Sequence, residues 1–301
     1  MAIYSKNKYS PIQAWILASR PKTLPAAAAP VLLAAGVAFY EGVFVLWVVL
    51  LALATALLLQ IGANFANDLF DFQKGADTEK RLGPLRVTQS GLLSPTQVAT
   101  GMTIVFALAA VFGLILYFRV GWPILALGFA SILAALAYTG GPLPYGYFGF
   151  GEIFVFIFFG FAAVCGTYYA QAGFVSKLAV WSSIPMGSLS TAILVVNNLR
   201  DIPTDSQAGK ITLAVRFGPH FARILYDFLL ATAYLTPVLL IFTGNAPVWI
   251  LLAHLSLFLI IPVRKLVHQA SGLKLNKALA GTGQTELLFA VFYSVGLLIA
   301  S

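Results

Sequence analysis

Phe44-Val-Leu-Trp-Val-Val-Leu-Leu-Ala-Leu-Ala-Thr-Ala-Leu-Leu-Leu-Gln-Ile-Gly-Ala-Asn64-Phe-Ala-Asn67 carries no charge along its length and runs directly into Asp68-Leu-Phe-Asp71. A hydrocarbon core about 30 Å thick takes roughly 20 helical residues, so the stretch reads as a membrane span that ends in carboxylates. The rest of the chain repeats the pattern. Of its 301 residues 60% are hydrophobic and only 9% charged, with a mean hydropathy of +0.90, against roughly 25% charged in soluble domains. A water-soluble globule is excluded. Apolar runs lie near 23–40, 44–67, 97–118, 122–139, 152–172, 178–198, 222–243, 247–263 and 284–300. They predict an all-α integral membrane protein of about nine transmembrane helices around a central cavity. Pro11 to Ser19 reads as a short amphipathic helix at the interface. Lys6, Lys8 and Pro11 precede the first apolar run and no cleavage site follows it, so that run is expected to stay in the membrane rather than act as a signal peptide.

Lys and Arg fall on one side of these nine spans. Lys6, Lys8, Arg20 and Lys22, then Lys74, Lys80, Arg81 and Arg86, then Arg200, Lys210, Arg216 and Arg223, then Arg264, Lys265, Lys274 and Lys277 share it, leaving Arg119 and Lys177 opposite. Because loops retained in the cytoplasm carry the excess of Lys and Arg, the N-terminus and these loops are expected to be cytoplasmic. The net charge of +8 thereby reads as an orientation signal, and no nucleic-acid partner is expected. Cys165 is the one cysteine, which excludes an internal disulfide and a zinc framework. His220, His254 and His268 show no metal-ligand spacing and read as packing or interfacial residues.

Six of the ten acidic residues crowd into two stretches on the cytoplasmic side, Asp68, Asp71, Asp77 and Glu79 in one, Asp201 and Asp205 in the other. On a helix, Asn64, Asn67, Asp68 and Asp71 share a face, as do Asn198, Asp201 and Asp205. Like charges stacked at the end of a membrane helix repel, and acids at such a place are functional candidates by default. Oxygen ligands without His or Cys select a hard cation, and a few carboxylates suit Mg²⁺ bridging to a phosphate. Lys80, Arg81 and Arg86 follow the first cluster, and Lys210 and Arg216 the second. Aspartates, Mg²⁺ and Lys or Arg together are the equipment for a diphosphate. Each cluster also runs into a basic loop with a Gly-Pro pair, Gly83-Pro84 and Gly218-Pro219. With Asp201 lying 133 residues after Asp68, this suggests pseudo-repeat halves of about 11–140 and 150–270 within one domain spanning 1–301, plus a last helix at 284–300.

These motifs resemble the UbiA-type superfamily of intramembrane aromatic prenyltransferases, whose aspartate-rich patterns NDxxDxxxD and DxxxD match Asn67-Asp68-Leu-Phe-Asp71 and Asp201-Ile-Pro-Thr-Asp205. Asp77 departs from the pattern, lying six residues after Asp71 where four are expected, so Asp68 and Asp71 are the stronger ligands. Within the superfamily the wording is closest to the group acting on 1,4-dihydroxy-2-naphthoate in menaquinone biosynthesis. The strings are Arg20-Pro-Lys-Thr-Leu24, Asn67 through Thr78, Arg81 through Gly91, Asn197-Asn-Leu-Arg-Asp201 and Gly209 through Gly218. The resemblance implies a multi-pass protein of a bacterial inner or cell membrane. It implies transfer of a chain from a polyprenyl diphosphate to 1,4-dihydroxy-2-naphthoate with loss of CO₂. Mg²⁺ would then be held by Asp68, Asp71, Asp201 and Asp205, with Asp77 as a further candidate and Asn64, Asn67 and Asn198 assisting. Lys22, Lys80, Arg81, Arg86, Lys210 and Arg216 would close over the diphosphate. Phe65, Phe70, Phe72, Tyr138 and Tyr168 are candidates for shielding an allylic cation.

The loop from Tyr138 through Tyr145 and Tyr147 to Glu152 lies on the cytoplasmic side with no Lys or Arg, which makes Tyr138 and Tyr145 candidates for capping the cavity or contacting the aromatic acceptor. Two other readings compete. The same fold acts elsewhere on 4-hydroxybenzoate, homogentisate, chlorophyllide or haem-type acceptors, and intramembrane aspartates also line ion paths in transporters. Against a transporter, both clusters lie at one face and no span is expected to carry a charge at mid-depth.

Overall fold

The computed structural model describes residues 9–76 and 82–301. Ten helices follow one another, α1 (Pro11–Ser19), α2 (Leu24–Tyr40), α3 (Leu46–Gln73), α4 (Pro95–Val120), α5 (Trp122–Ala137), α6 (Gly151–Ala172), α7 (Lys177–Gln207), α8 (Leu213–Phe242), α9 (Val248–Gln269) and α10 (Leu275–Ala300). Eight segments among the described residues are long and apolar enough to cross a membrane, the first joining α1 and α2, and the shorter apolar α5 makes a ninth. Large apolar side chains such as Phe118, Phe242 and Phe258 stand exposed on the outside, which suits lipid and not water. The protein is a multi-pass integral membrane protein.

Local chemistry sets several helix starts. Ser10 and Ser94 each cap their helix in a reciprocal box with Gln13 and Gln97, followed by Pro11 and Pro95 at the first helical position. Ser176 and Thr212 cap α7 and α8 through their hydroxyls. Inside α8, Gly218 takes φ 81° and ψ 174° immediately before Pro219, a geometry that a side chain would resist. It separates a short leading piece from the span expected at 222–243.

Three expected ends move, all at the end of the bundle that carries the aspartates. α3 and α7 continue past 67 and 198, so Asp68, Asp71, Asp201 and Asp205 all lie on helices. Pro203 does not stop α7. α10 begins at Leu275 and not at 284, because Gly281, Thr282 and Gly283 are buried in helix contacts although their polarity reads as loop. This places one titratable group at mid-depth, where the sequence leads one to expect no charge. Glu286 lies near the middle of α10, fully buried, and accepts a hydrogen bond from the Ser190 hydroxyl.

A dry core gathers side chains of α2, α6, α7, α8, α9 and α10. On its other flank α2 through α7 and α10 surround a cavity of about 1010 Å³. The shape of that cavity depends on the crossing of α6 over α7. Residues Phe156–Ala162 of α6 form a π-helical stretch, a widening that costs regular hydrogen bonding and recurs at functional sites. There Gly160 and Gly187 meet, a Cβ on Gly187 falling 2.7 Å from the Phe156 carbonyl and one on Gly160 falling 2.8 Å from the Ser183 carbonyl. Small residues allow this approach, and Phe154, Phe158 and Phe159 line the cavity beside it. Gly187→Val should therefore lower the thermal midpoint in detergent by about 5 °C or more, since overpacking costs about 1–3 kcal/mol. Gly113→Ala, where nothing lies within 4 Å of the added carbon, should leave it unchanged; thermal unfolding followed by size-exclusion chromatography would check both.

Candidate active site

At the C-terminal end of α3 the carboxylate of Asp71 is buried and receives three donors. Arg86 Nη2 lies 2.8 Å from Oδ2, while the Tyr147 hydroxyl at 2.8 Å and Lys210 Nζ at 3.0 Å both reach Oδ1. These partners come from three separate segments, the one following α3, the loop between α5 and α6, and the link between α7 and α8. The Tyr147 ring also receives Lys74 and Lys210, their ammonium groups 4.9 Å and 4.6 Å from its centroid. Lys74 additionally donates to the Thr139 carbonyl at 2.7 Å. Burial, working against the pull of Asp71 and helped by the like charge of Lys210, holds the Lys74 ammonium below the ordinary lysine range. Two cations thus bond one carboxylate while a third, Lys74, stands on the Tyr147 ring beside it, an arrangement suited to an anion.

Asp68, one helical step away, has a different task. Its two oxygens accept the backbone N–H groups of Val87 at 3.1 Å and Thr88 at 3.0 Å, which holds the segment bearing Arg86 against α3. Asp68 does not line the cavity. Asn64 is also turned away, its amide donating to the Ser19 carbonyl and the Thr23 hydroxyl at the corner between α1 and α2. Asn67 lines the cavity and accepts from Thr139.

On the facing wall, Asp201 and Asp205 of α7 line the same cavity as Asp71. Asp201 is gripped by its neighbour Arg200, whose Nε donates to Oδ1 at 2.8 Å and whose Nη2 reaches Oδ2. Arg200 also binds Asn197 and Asn276, tying α7 to α10. Lys22, Arg86, Lys210, Asn198, Tyr138 and Tyr145 line the cavity too, whereas Arg216 is exposed away from it. Asp77, Lys80 and Arg81 lie outside the described residues, as do Lys6, Lys8 and Glu79. Of the aromatic candidates, Tyr138 lines the cavity; Phe65 packs on Trp15, and Tyr168 is buried in the dry core.

Below this polar mouth the walls turn apolar, with Ala56, Leu59, Gly113, Leu127 and Ala162 among the lining. One side is a file of rings. Tyr138 meets Tyr145 edge-on at 5.4 Å, Tyr145 stacks on Phe154 at 4.0 Å, and Phe158 follows at 6.2 Å. The Tyr145 hydroxyl donates to the Ala134 carbonyl, and burial raises its pKa above the usual phenol range, so it stays neutral.

A charged mouth with carboxylates on facing walls, opening into an aromatic and aliphatic channel within the membrane, suits a long lipid with an anionic head. The UbiA prenyltransferase family model matches residues 24–296. The chain belongs to the UbiA prenyltransferase family. It is 44% identical over 278 residues to the 1,4-dihydroxy-2-naphthoate octaprenyltransferase of Mycobacterium tuberculosis, covering 92% of this chain and 94% of that one. Its fold is that of a UbiA homolog from Aeropyrum pernix K1 (TM-score 0.67, 17% identity, 93% and 96% of the two chains). It is also that of a UbiA homolog from Archaeoglobus fulgidus bound to GPP and Mg²⁺ (TM-score 0.66, 15% identity, 95% and 99%).

Sequence reading did not single out Arg200, Tyr147 or Lys74. Arg200 had a signal, a cation adjacent to an intramembrane aspartate and therefore its natural partner. Tyr147 had none beyond its place in a tyrosine-rich loop. Asp68→Asn should lower turnover about 10- to 100-fold, the scale of losing a group that orients a ligand, because an amide offers one acceptor oxygen where the two backbone N–H groups use two. Steady-state assays of both variants should show Asp68→Ala to be at least as impaired as Asp68→Asn, with each still inserting in the membrane.

Proposed function

We propose that this protein transfers a polyprenyl chain from its diphosphate to 1,4-dihydroxy-2-naphthoate, releasing CO₂ and diphosphate and giving demethylmenaquinol. The observation that carries the reading is the two-part cavity, in which a cationic, carboxylate-lined mouth leads into a channel walled by Tyr145, Phe154 and Phe158. Family membership supplies the reaction class, and the naphthoate relative, similar over nearly its whole length, supports the acceptor.

The donors available for a metal are carboxylate and amide oxygens, Asp71, Asp201 and Asp205 with Asn67, all on the walls of one cavity; such a set fits a hard cation. Among the described residues no three acidic, His or Cys groups stand close enough to hold an ion unaided, which fits an ion that arrives with a diphosphate as its further ligand. Mg²⁺ bound there would offset the negative charge of the departing diphosphate. Lys210 and Arg86, already bonded to Asp71 on the cavity wall, donate to the diphosphate oxygens, with Lys22 at the mouth. As the allylic C–O bond breaks, its electron pair leaves with diphosphate and positive charge develops on the chain. The file of aromatic rings faces that charge and excludes water. The electron-rich ring carbon then forms the new C–C bond, and the electrons of the ring–carboxylate bond restore aromaticity as CO₂ departs. Asp68 serves this step indirectly by seating Arg86. The Lys and Arg bias puts the mouth and the N-terminus on the cytoplasmic side, where a soluble naphthoate would arrive.

The purified protein in nanodiscs, given 1,4-dihydroxy-2-naphthoate and a polyprenyl diphosphate, should form prenylated product and CO₂ in equal amounts. Chelation by EDTA should abolish both and added Mg²⁺ restore them. Asp71→Ala and Asp201→Ala should each cost at least about 100-fold in kcat, as removal of a group acting on developing charge does. Turnover of 4-hydroxybenzoate in place of the naphthoate would refute the acceptor, and normal rates in both aspartate variants would refute the metal assignment.

A further inference from the structure

Glu152 is the second residue of α6, buried, and placed against α7 beside Thr191 and Asn198, below the second aspartate motif. The backbone there is tied down, since Thr191 donates to the Gly187 carbonyl at 2.7 Å and to the Glu152 carbonyl at 3.4 Å. The Glu152 side chain accepts a hydrogen bond from Asn198 Nδ2 at 2.9 Å. Asn198 is a cavity-lining residue and Glu152 is not. An amide has a donor end and an acceptor end, and here the donor end is committed to a carboxyl oxygen behind the wall. Ionised or protonated, the glutamate keeps an oxygen that accepts, so the orientation survives a change in its charge. Among the described residues no donor reaches Asn198 Oδ1, the end left for the cavity.

The polarity of that oxygen decides what it can bind. A bare acceptor repels a diphosphate oxygen and attracts a hydroxyl. Asn198 precedes Asp201 by three residues, about 4.5 Å along the helix, which is one step below the level of the aspartates. Tyr138, whose side chain also lines the cavity, stands close by, its hydroxyl 3.6 Å from where a Cβ on Gly151 would be. An aromatic ring attacking the first carbon of a prenyl diphosphate has to sit at that level. Resting on the function proposed above, we infer that Glu152 is a positioning residue which fixes the Asn198 amide with its oxygen toward the cavity, where it accepts a hydrogen bond from a ring hydroxyl of the aromatic acceptor.

The test uses the full chain in nanodiscs and separates the two Michaelis constants. Asn198→Asp sets a carboxylate against Glu152 and should raise the acceptor KM by about tenfold or more, the scale of one lost hydrogen bond with its desolvation, while the KM for prenyl diphosphate stays within about twofold. Adding Glu152→Gln restores an N–H donor behind position 198 and leaves an acceptor oxygen facing the cavity. The double variant should recover an acceptor KM within about threefold of the parent. A rise in both KM values together, or no recovery in a double variant with the parent's thermal midpoint, would overturn the inference. If either variant fails to fold, the unmodified enzyme decides with the two monomethyl ethers of the acceptor, which keep the oxygen and lose the donor. One ether should fall about tenfold or more below the other in kcat/KM, and equal turnover of the two would overturn the inference. Absence of any turnover of the naphthoate by the unmodified enzyme would instead refute the function, and the same comparison would then be made on whichever hydroxylated ring is prenylated.

Discussion

Asp71 holds the mouth of the cavity together. Its buried carboxylate would be costly alone, and it is stabilised by Arg86, Tyr147 and Lys210, groups 15, 76 and 139 residues away in sequence. Each belongs to a different segment, and Asp71 joins the three at this place. The ion pairs therefore assemble the mouth as much as they stabilise it, and they do so with the groups a diphosphate needs.

The neighbouring acids show how far residues of one type can differ in task. Asp68 and Asp71 share a helix face, yet one accepts two backbone N–H groups and the other a cluster of cations. The first shapes the segment that carries Arg86 and the second meets the cavity. Asp201 is bound by an arginine one residue away, so its carboxylate is held in place by its own helix. In the same way Glu152 acts on the cavity through Asn198, and Glu286 is sealed behind Ser190, which does line it. Acids behind the wall set the hydrogen-bond polarity of groups on the wall.

Below the mouth, the channel depends on backbone proximity. Gly160 and Gly187 let α6 and α7 touch, and the π-helical stretch beside them widens α6 where Phe154 and Phe158 continue the file begun by Tyr138 and Tyr145. A prenyl cation needs an electron-rich, dry surface, and the crossing provides one without placing any charge along the channel.

Apolar runs of bilayer length and the one-sided placement of Lys and Arg were enough to determine the membrane class, the number of helices and the concentration of aspartates at one end, because the bilayer imposes length and charge rules that act locally along the chain. The two aspartate motifs were legible for the same reason, since acids are too costly at a membrane helix end to be incidental. What each acid does was decided by the tertiary structure. Whether Asp68 meets a metal or a pair of backbone amides depends on where residues 87 and 88 fold, and Tyr147 and Lys210 reach Asp71 only through the packing of distant loops. The depth of Glu286 was misjudged because Gly281, Thr282 and Gly283 look like loop until neighbouring helices bury them. Hydrogen-bond direction at Asn198 is likewise a property of the pair it forms with Glu152, and no spacing within one helix encodes it.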